Sequence, residues 1–140
     1  MTVFIVLALS LVFLYEFVRV SQSEMSPEPR PTAESITERV ETLLANGVAA
    51  NGDQLLTVYG CAACHRSESN IAPSFVGLAE RAETRRPSLT AAEYLYESIT
   101  QPNAYVVEEF QPAMPPNYAE RLSDQELGDI IAYLLSADAH

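Results

Sequence analysis

The sequence predicts an all-α domain with long loops behind one N-terminal transmembrane helix. Three observations predict it. Apolar residues recur at helical spacing in several segments after Thr37, no convincing stretch alternates with the two-residue period of a strand, and sixteen of the first 20 residues are apolar. The chain has 140 residues, 48% of them hydrophobic, and a net charge of −11. With the apolar head set aside, what remains is one small domain with a modest core, and the whole chain has no Trp and only 5 Phe and 7 Tyr. Its 8 basic residues are all Arg against 19 acidic ones, which excludes a free nucleic-acid binder, because such a protein needs a basic face to displace counterions from phosphate.

The first element is the head, residues 1–20, whose run from Val3 to Tyr15 is broken only by Ser10. As a helix, 20 residues cover about 30 Å, the thickness of a bilayer's hydrocarbon core. Glu16 and Arg19 share a face near its end, where they can pair or reach the headgroups. A cleaved secretory signal is the alternative. No Arg or Lys precedes the apolar run, no convincing small-x-small site follows it, and no Cys lies nearby for lipid attachment, so a retained anchor is expected. Arg19, the one flanking positive charge, lies on the C-terminal side and says little about orientation.

Residues 21–35 hold three of the 9 Pro and almost nothing apolar, which predicts an extended, semi-rigid tether that keeps the following domain, 36–140, near the membrane. Within that domain, Val40, Leu43 and Leu44 predict a short amphipathic helix over 37–46, stopped by Asn46-Gly47. A second helix is expected from near Asn51 to Tyr59, with Leu55, Leu56 and Tyr59 inward. Thr90-Ala91-Ala92-Glu93 is a capping box that opens a helix ending before Gln101-Pro102. Ser123-Asp124-Gln125-Glu126 is another, and Leu127, Ile130, Ile131, Leu134 and Leu135 then mark one buried face. Loops are expected at 67–78, 83–88 and 101–118, and loops that long in a compact domain point to a function or a cofactor that organises them.

The chemistry is concentrated in Cys61-Ala62-Ala63-Cys64-His65, which contains the only two cysteines. This spacing with an immediate His is the attachment motif of a c-type haem: each thiol adds to one porphyrin vinyl group and the imidazole points at the iron. A thioredoxin-like redox pair would need a βαβ context that an all-α chain does not offer. A structural zinc site would need four ligands, and the chain offers the two Cys, His65 and the terminal His140. A surface disulfide would leave His65 without a role.

From about Gly52 to Leu135 the sequence resembles a class I cytochrome c, with the haem motif after an N-terminal helix, a Met in a later loop and a closing helix, in that order. GDQLLTVYGCAACH, IAPSFVGL, SLTAAEYLYESITQPNAYVV and MPPNY are especially similar to two groups: the cytochrome c domain of caa3-type oxidase subunit II and the monohaem subunit of alternative complex III. The resemblance implies the class I cytochrome c fold, haem-centred with three to five helices. It implies one covalent haem c on Cys61 and Cys64, His65 as proximal ligand, and Pro73 as the residue whose carbonyl accepts the other imidazole N–H; the alternative for Pro73 is an ordinary loop proline.

Elimination points to the sixth ligand. His140 is terminal, Met1 is in the head and Met25 is in the tether, which leaves Met114 in a loop stiffened by Pro112, Pro115 and Pro116; otherwise Met114 is core filler. Phe75, Leu78, Leu95, Ile99 and Phe110 are candidates for the apolar haem pocket or simply for the core. Gly52 and Tyr133 are candidates for the crossing of the terminal helices. Arg81, Arg85 and Arg86 form the only basic cluster, a solvated loop or a propionate or partner contact.

The expected function is electron transfer by a membrane-anchored carrier, not an enzyme, serving as a subunit of a respiratory or photosynthetic quinol-oxidising or oxidase complex. The alternatives are a haem protein with a labile sixth site for small ligands or peroxide, and a structural subunit. Expected partners are the other subunits of a membrane electron-transfer complex, redox donor and acceptor proteins, and membrane lipid. The expected location is the bacterial inner membrane with the haem domain on the periplasmic or outer side. Residues 32–140 carry 16 acidic against 6 basic residues and no lysine, so a partner must offer a neutral or basic face or be bound permanently.

Overall fold

The computed structural model describes residues 4, 10, 12–17, 33–136 and 139. The chain divides into two units, 1–32 and 33–140. In the first, residues 12–17 are helical, Phe4, Phe13 and Phe17 are exposed, and Phe13 stacks on Phe17 with ring centroids 6.4 Å apart. No helix among the described residues is long and apolar enough to cross a membrane. Most of the span expected over 1–20, and nearly all of the tether expected over 21–35, lie outside the described residues.

The second unit is helical, with no strand among the described residues. Its elements are α1 (Ala33–Asn46), α2 (Ala49–Val58), α3 (Cys61–Cys64), α4 (Leu78–Arg85), α5 (Ala91–Thr100), α6 (Tyr118–Arg121) and α7 (Asp124–Leu134). The two capping boxes are formed as the sequence requires. Thr90 Oγ1 accepts from the Glu93 amide at 3.3 Å while Glu93 returns to the Thr90 amide at 2.7 Å. Ser123 and Glu126 do the same at 3.3 and 2.9 Å. Each cap contributes about 1 kcal/mol to its helix.

Two expectations are corrected. The tether was expected to be extended through Ser35, but α1 begins at Ala33, because no proline follows Pro31 to disfavour helix. The stretch 78–85, of which Leu78 and 83–85 were expected in loops and 79–82 in no element, is α4. Gly77, at φ 65°, turns the chain into it, Leu78 and Ala82 bury its inner side, and no breaker occurs before Pro87.

The core sits where α7 crosses α2 and α1, with α5 packed against α1, α4, α6 and α7. Gly52 and Tyr133 mark the α2–α7 crossing: a Cβ on Gly52 would lie 2.2 Å from the Tyr133 Cβ and 2.7 Å from the Asp129 carbonyl. A second glycine pair makes the α1–α7 approach, where a Cβ on Gly47 would meet the Gly128 carbonyl at 2.6 Å and one on Gly128 the Leu43 carbonyl at 2.5 Å.

Asp129, buried at this junction, accepts from the Val48 amide (2.7 Å), Asn51 Nδ2 (2.9 Å) and Gln125 Nε2 (2.7 Å). Burial alone would push its carboxyl up, but these three donors hold it below the usual range. Thr37 donates to Glu93, and Arg39 pairs with Asp124, so α1 is tied to the starts of both α5 and α7.

Candidate functional site

Gly60 ends the run of α2 at φ 76°, a left-handed angle that bends the chain into the single turn α3. Nothing lies within 4 Å of where its Cβ would be, so the backbone angle alone calls for glycine there. The turn sets Cys61 and Cys64 at its two ends, with no disulfide between them and His65 next. Burial pushes the Cys61 thiol up.

His65 is fixed from two directions. Its Nδ1 lies 2.7 Å from the Pro73 carbonyl, and its own carbonyl accepts from the Phe75 amide at 3.2 Å. The Phe75 ring stacks on the imidazole, centroids 4.6 Å apart and planes 6° from parallel. Arg81 in turn holds the 74–76 segment, donating to the carbonyls of Val76 (2.6 Å) and Ser74 (2.5 Å). Burial lowers the imidazole's affinity for a second proton and so favours the neutral ring, against the smaller opposing effect of the Pro73 bond.

These residues open onto an apolar cleft of about 620 Å³, open solvent included, walled by α2, α4, α5, α6 and α7 as well as by the motif. Two adjoining spaces of about 540 and 390 Å³ flank it. His65 and Met114 border all three. No Asp, Glu or Arg side chain lines the main cleft. Met114 comes from the 101–117 loop, whose turns are closed by Ala104 N to Gln101 O (2.8 Å), Phe110 N to Val107 O (2.9 Å) and Ala113 N to Gln111 O (2.8 Å). The donor set is thus two thiols, an imidazole with Nε2 unused and a thioether, around an uncharged cleft. A haem fits it: the macrocycle needs apolar walls, its vinyl groups need thiols, and its iron needs soft or nitrogen donors.

Of the residues singled out in the sequence, Cys61, His65, Pro73, Phe75, Leu78, Leu95, Ile99 and Met114 all line the main cleft. Cys64 borders the smallest of the three spaces. Phe110 is apart from the main cleft and borders the second space instead, because the turn at 107–110 sets it on the outer part of the loop. Among the described residues no cluster of three or more His, Cys, Asp or Glu forms a metal site, and His140, which the zinc alternative would need, lies outside them. The basic cluster divides: Arg81 bonds its own loop, Arg86 pairs with Glu97 at 2.9 Å and sits over the Tyr105 ring at 5.3 Å, and Arg85 makes no ion pair among the described residues.

Sequence reasoning missed Tyr94, Ser98, Tyr118 and Leu122 in the cleft wall. Tyr94 and Ser98 lie four apart on the face of α5 that also carries Leu95 and Ile99, so helical spacing was the signal for both. Tyr118 gave no signal of its own. It is buried, and its hydroxyl donates to the Tyr59 carbonyl at 3.2 Å across 59 residues of chain.

The family model for cytochrome c matches the chain over residues 49–138. Neither a curated protein nor a solved structure matches it. The matched region begins at α2 and takes in the whole cleft, leaving α1 outside it.

Proposed function

The chain belongs to the cytochrome c family, and from that premise we propose a membrane-anchored monohaem electron carrier that works as a subunit of a larger electron-transfer complex. Family membership makes it a haem protein with covalent haem c, in a family of electron carriers that are generally non-enzymatic. The observation that carries the electron-carrier reading is that His65 and Met114 border the same apolar cleft, with the Cys61 side chain on its wall.

In this reading Cys61 and Cys64 would form the two thioethers, His65 would supply Nε2 to the iron and Met114 would supply its sulfur. The haem, when bound, supplies a one-electron ferric–ferrous couple. The residues do the rest. Pro73 keeps the proton on Nδ1 and so the Nε2 lone pair directed away from it, Phe75 holds the ring plane, and Leu78, Leu95 and Ile99 exclude water. Pro112, Pro115 and Pro116 limit the freedom of the Met114 loop and keep the sulfur available. Held by both His65 and Met114, the iron would favour its reduced form through the thioether and would have no open position for a substrate.

The apolar head would hold the domain to the bacterial inner membrane with the haem on the periplasmic or outer side. The acidic, lysine-free domain suits permanent partners better than steered encounters. The complex would oxidise quinol, as alternative complex III does, or be a terminal oxidase, with electrons leaving to a soluble carrier or to oxygen reduction. Purification from membranes in mild detergent tests this. The expected result is a red polypeptide that keeps its colour through acidified organic extraction and comes with other redox subunits. Extractable haem would overturn the attachment, and a chain that purifies alone at native salt would overturn the complex.

A further inference from the structure

Arg121 ends α6 at the edge of the cleft and is exposed, yet its guanidinium is not idle. It lies over the ring of Tyr118 at 5.3 Å and over the ring of Tyr59 at 5.6 Å. Tyr118 is a wall of the cleft, shared with Cys61 and His65, and its hydroxyl donates to the Tyr59 carbonyl, so the two rings form a fixed seat for the cation.

The other arginines of this unit are differently placed. Arg39 pairs with Asp124 and Arg86 with Glu97, while Arg81 bonds two carbonyls. Arg66 borders an open space beside Asp53 and Glu68. Like Arg85, Arg121 makes no ion pair among the described residues, and it is the arginine seated on a ring that lines the main cleft.

We propose that Arg121 is a potential-tuning residue: an exposed cation seated on Tyr118 and Tyr59, whose hydroxyl donates to Glu126 at 2.8 Å, that raises the reduction potential of the redox centre in the cleft. This rests on the electron-carrier reading above. Reduction adds one electron to the centre and lowers its charge by one, so a fixed positive charge nearby disfavours the oxidised form more than the reduced form. The walls of the cleft carry no charge of their own that would cancel it. Water screens an exposed guanidinium, so the effect is modest and depends on salt. The aromatic seat matters because it keeps the charge at one place; a freely moving side chain would spread it through solvent.

The test is a redox titration of the holoprotein as wild type, Arg121→Met and Arg121→Lys at about 0.01 M and about 1 M salt, where the screening length falls from about 30 to about 3 Å. Met keeps the aliphatic stem over the rings without the charge, and Lys keeps the charge. In low salt R121M should shift the equilibrium toward the oxidised form by about threefold, which at 59 mV per tenfold for one electron is about 28 mV. R121K should stay within half of that shift from wild type, and the gap between wild type and R121M should close at high salt. Equal potentials for wild type and R121M in low salt overturn the assignment, and so does a drop in R121K as large as in R121M, which would mean packing and not charge. Either result leaves the carrier reading intact if haem stays attached. Loss of covalent haem from the wild type would overturn that reading and this one together.

Discussion

The Nδ1 of His65 meets the carbonyl of Pro73 at 2.7 Å, and because a carbonyl only accepts, the imidazole proton is on Nδ1. The tautomer follows from one backbone atom eight residues away. Nε2 then keeps its lone pair, and burial, which lowers the ring's affinity for a second proton, keeps it that way near neutral pH. The return bond from the Phe75 amide to the His65 carbonyl makes the link double, so the haem motif and the 73–75 segment move as one body.

Replacing Pro73 by Ala keeps that carbonyl and removes only the ring. The haem should stay attached and the axial spectrum unchanged, while stability in denaturant falls by about 1 kcal/mol through greater freedom of the unfolded chain. A changed axial spectrum at wild-type stability would mean that the pyrrolidine ring, and not its carbonyl, positions His65.

Two glycines should respond differently to the same substitution. Gly52→Ala puts a Cβ 2.2 Å from that of Tyr133, which forces α2 and α7 apart at a cost of about 3 kcal/mol. Gly60→Ala meets no atom and pays only for its left-handed angle, about 1 kcal/mol. Thermal unfolding should rank G52A well below G60A, and equal midpoints would contradict the packing argument.

Stability should fall in acid partly through Glu93. The Thr37 hydroxyl, then the Thr90 amide, hold its carboxyl below its ordinary value of 4.5. A depressed folded value means that the stabilisation is present above the unfolded value and is lost as pH falls below 4.5 through the folded value. Glu93→Gln should therefore flatten the acid limb of a denaturant-stability profile between about pH 4.5 and pH 2. An unchanged slope would show that other carboxylates, Asp129 first among them, govern that limb.

How much of this was legible depended on whether the signal was local. Both capping boxes, the end of α1 at Asn46 and the end of α5 before Pro102 could be read because caps and breakers act over three or four residues. The motif at Cys61–His65 was equally local. α4 was not legible: LAERAETR offers only Leu78 and Ala82 to the core, too few to show a period. The Gly47–Gly128 approach and the Tyr118–Tyr59 bond were invisible because each joins residues far apart in the chain, and a small or aromatic residue does not name its distant neighbour.

Met114→Leu decides whether the protein is a carrier with two axial ligands or a haem protein with an open site. Met114 borders the main cleft and both flanking spaces, as His65 does, and no other Met is among the described residues. Leucine is close in volume, so the fold should lose less than about 1.5 kcal/mol. Cys61, Cys64 and His65 are untouched, so the haem should remain covalent. Without the sulfur, the preference for the reduced form weakens and the potential should fall, and the ferrous protein should bind carbon monoxide that the wild type excludes. Some of the stability loss should be local to the 111–118 segment, visible as faster amide exchange, because the loop would lose the bond that pins it. If the wild type binds carbon monoxide as readily as the variant and the two share one potential, Met114 is packing, and the centre is a ligand-binding site instead of a relay.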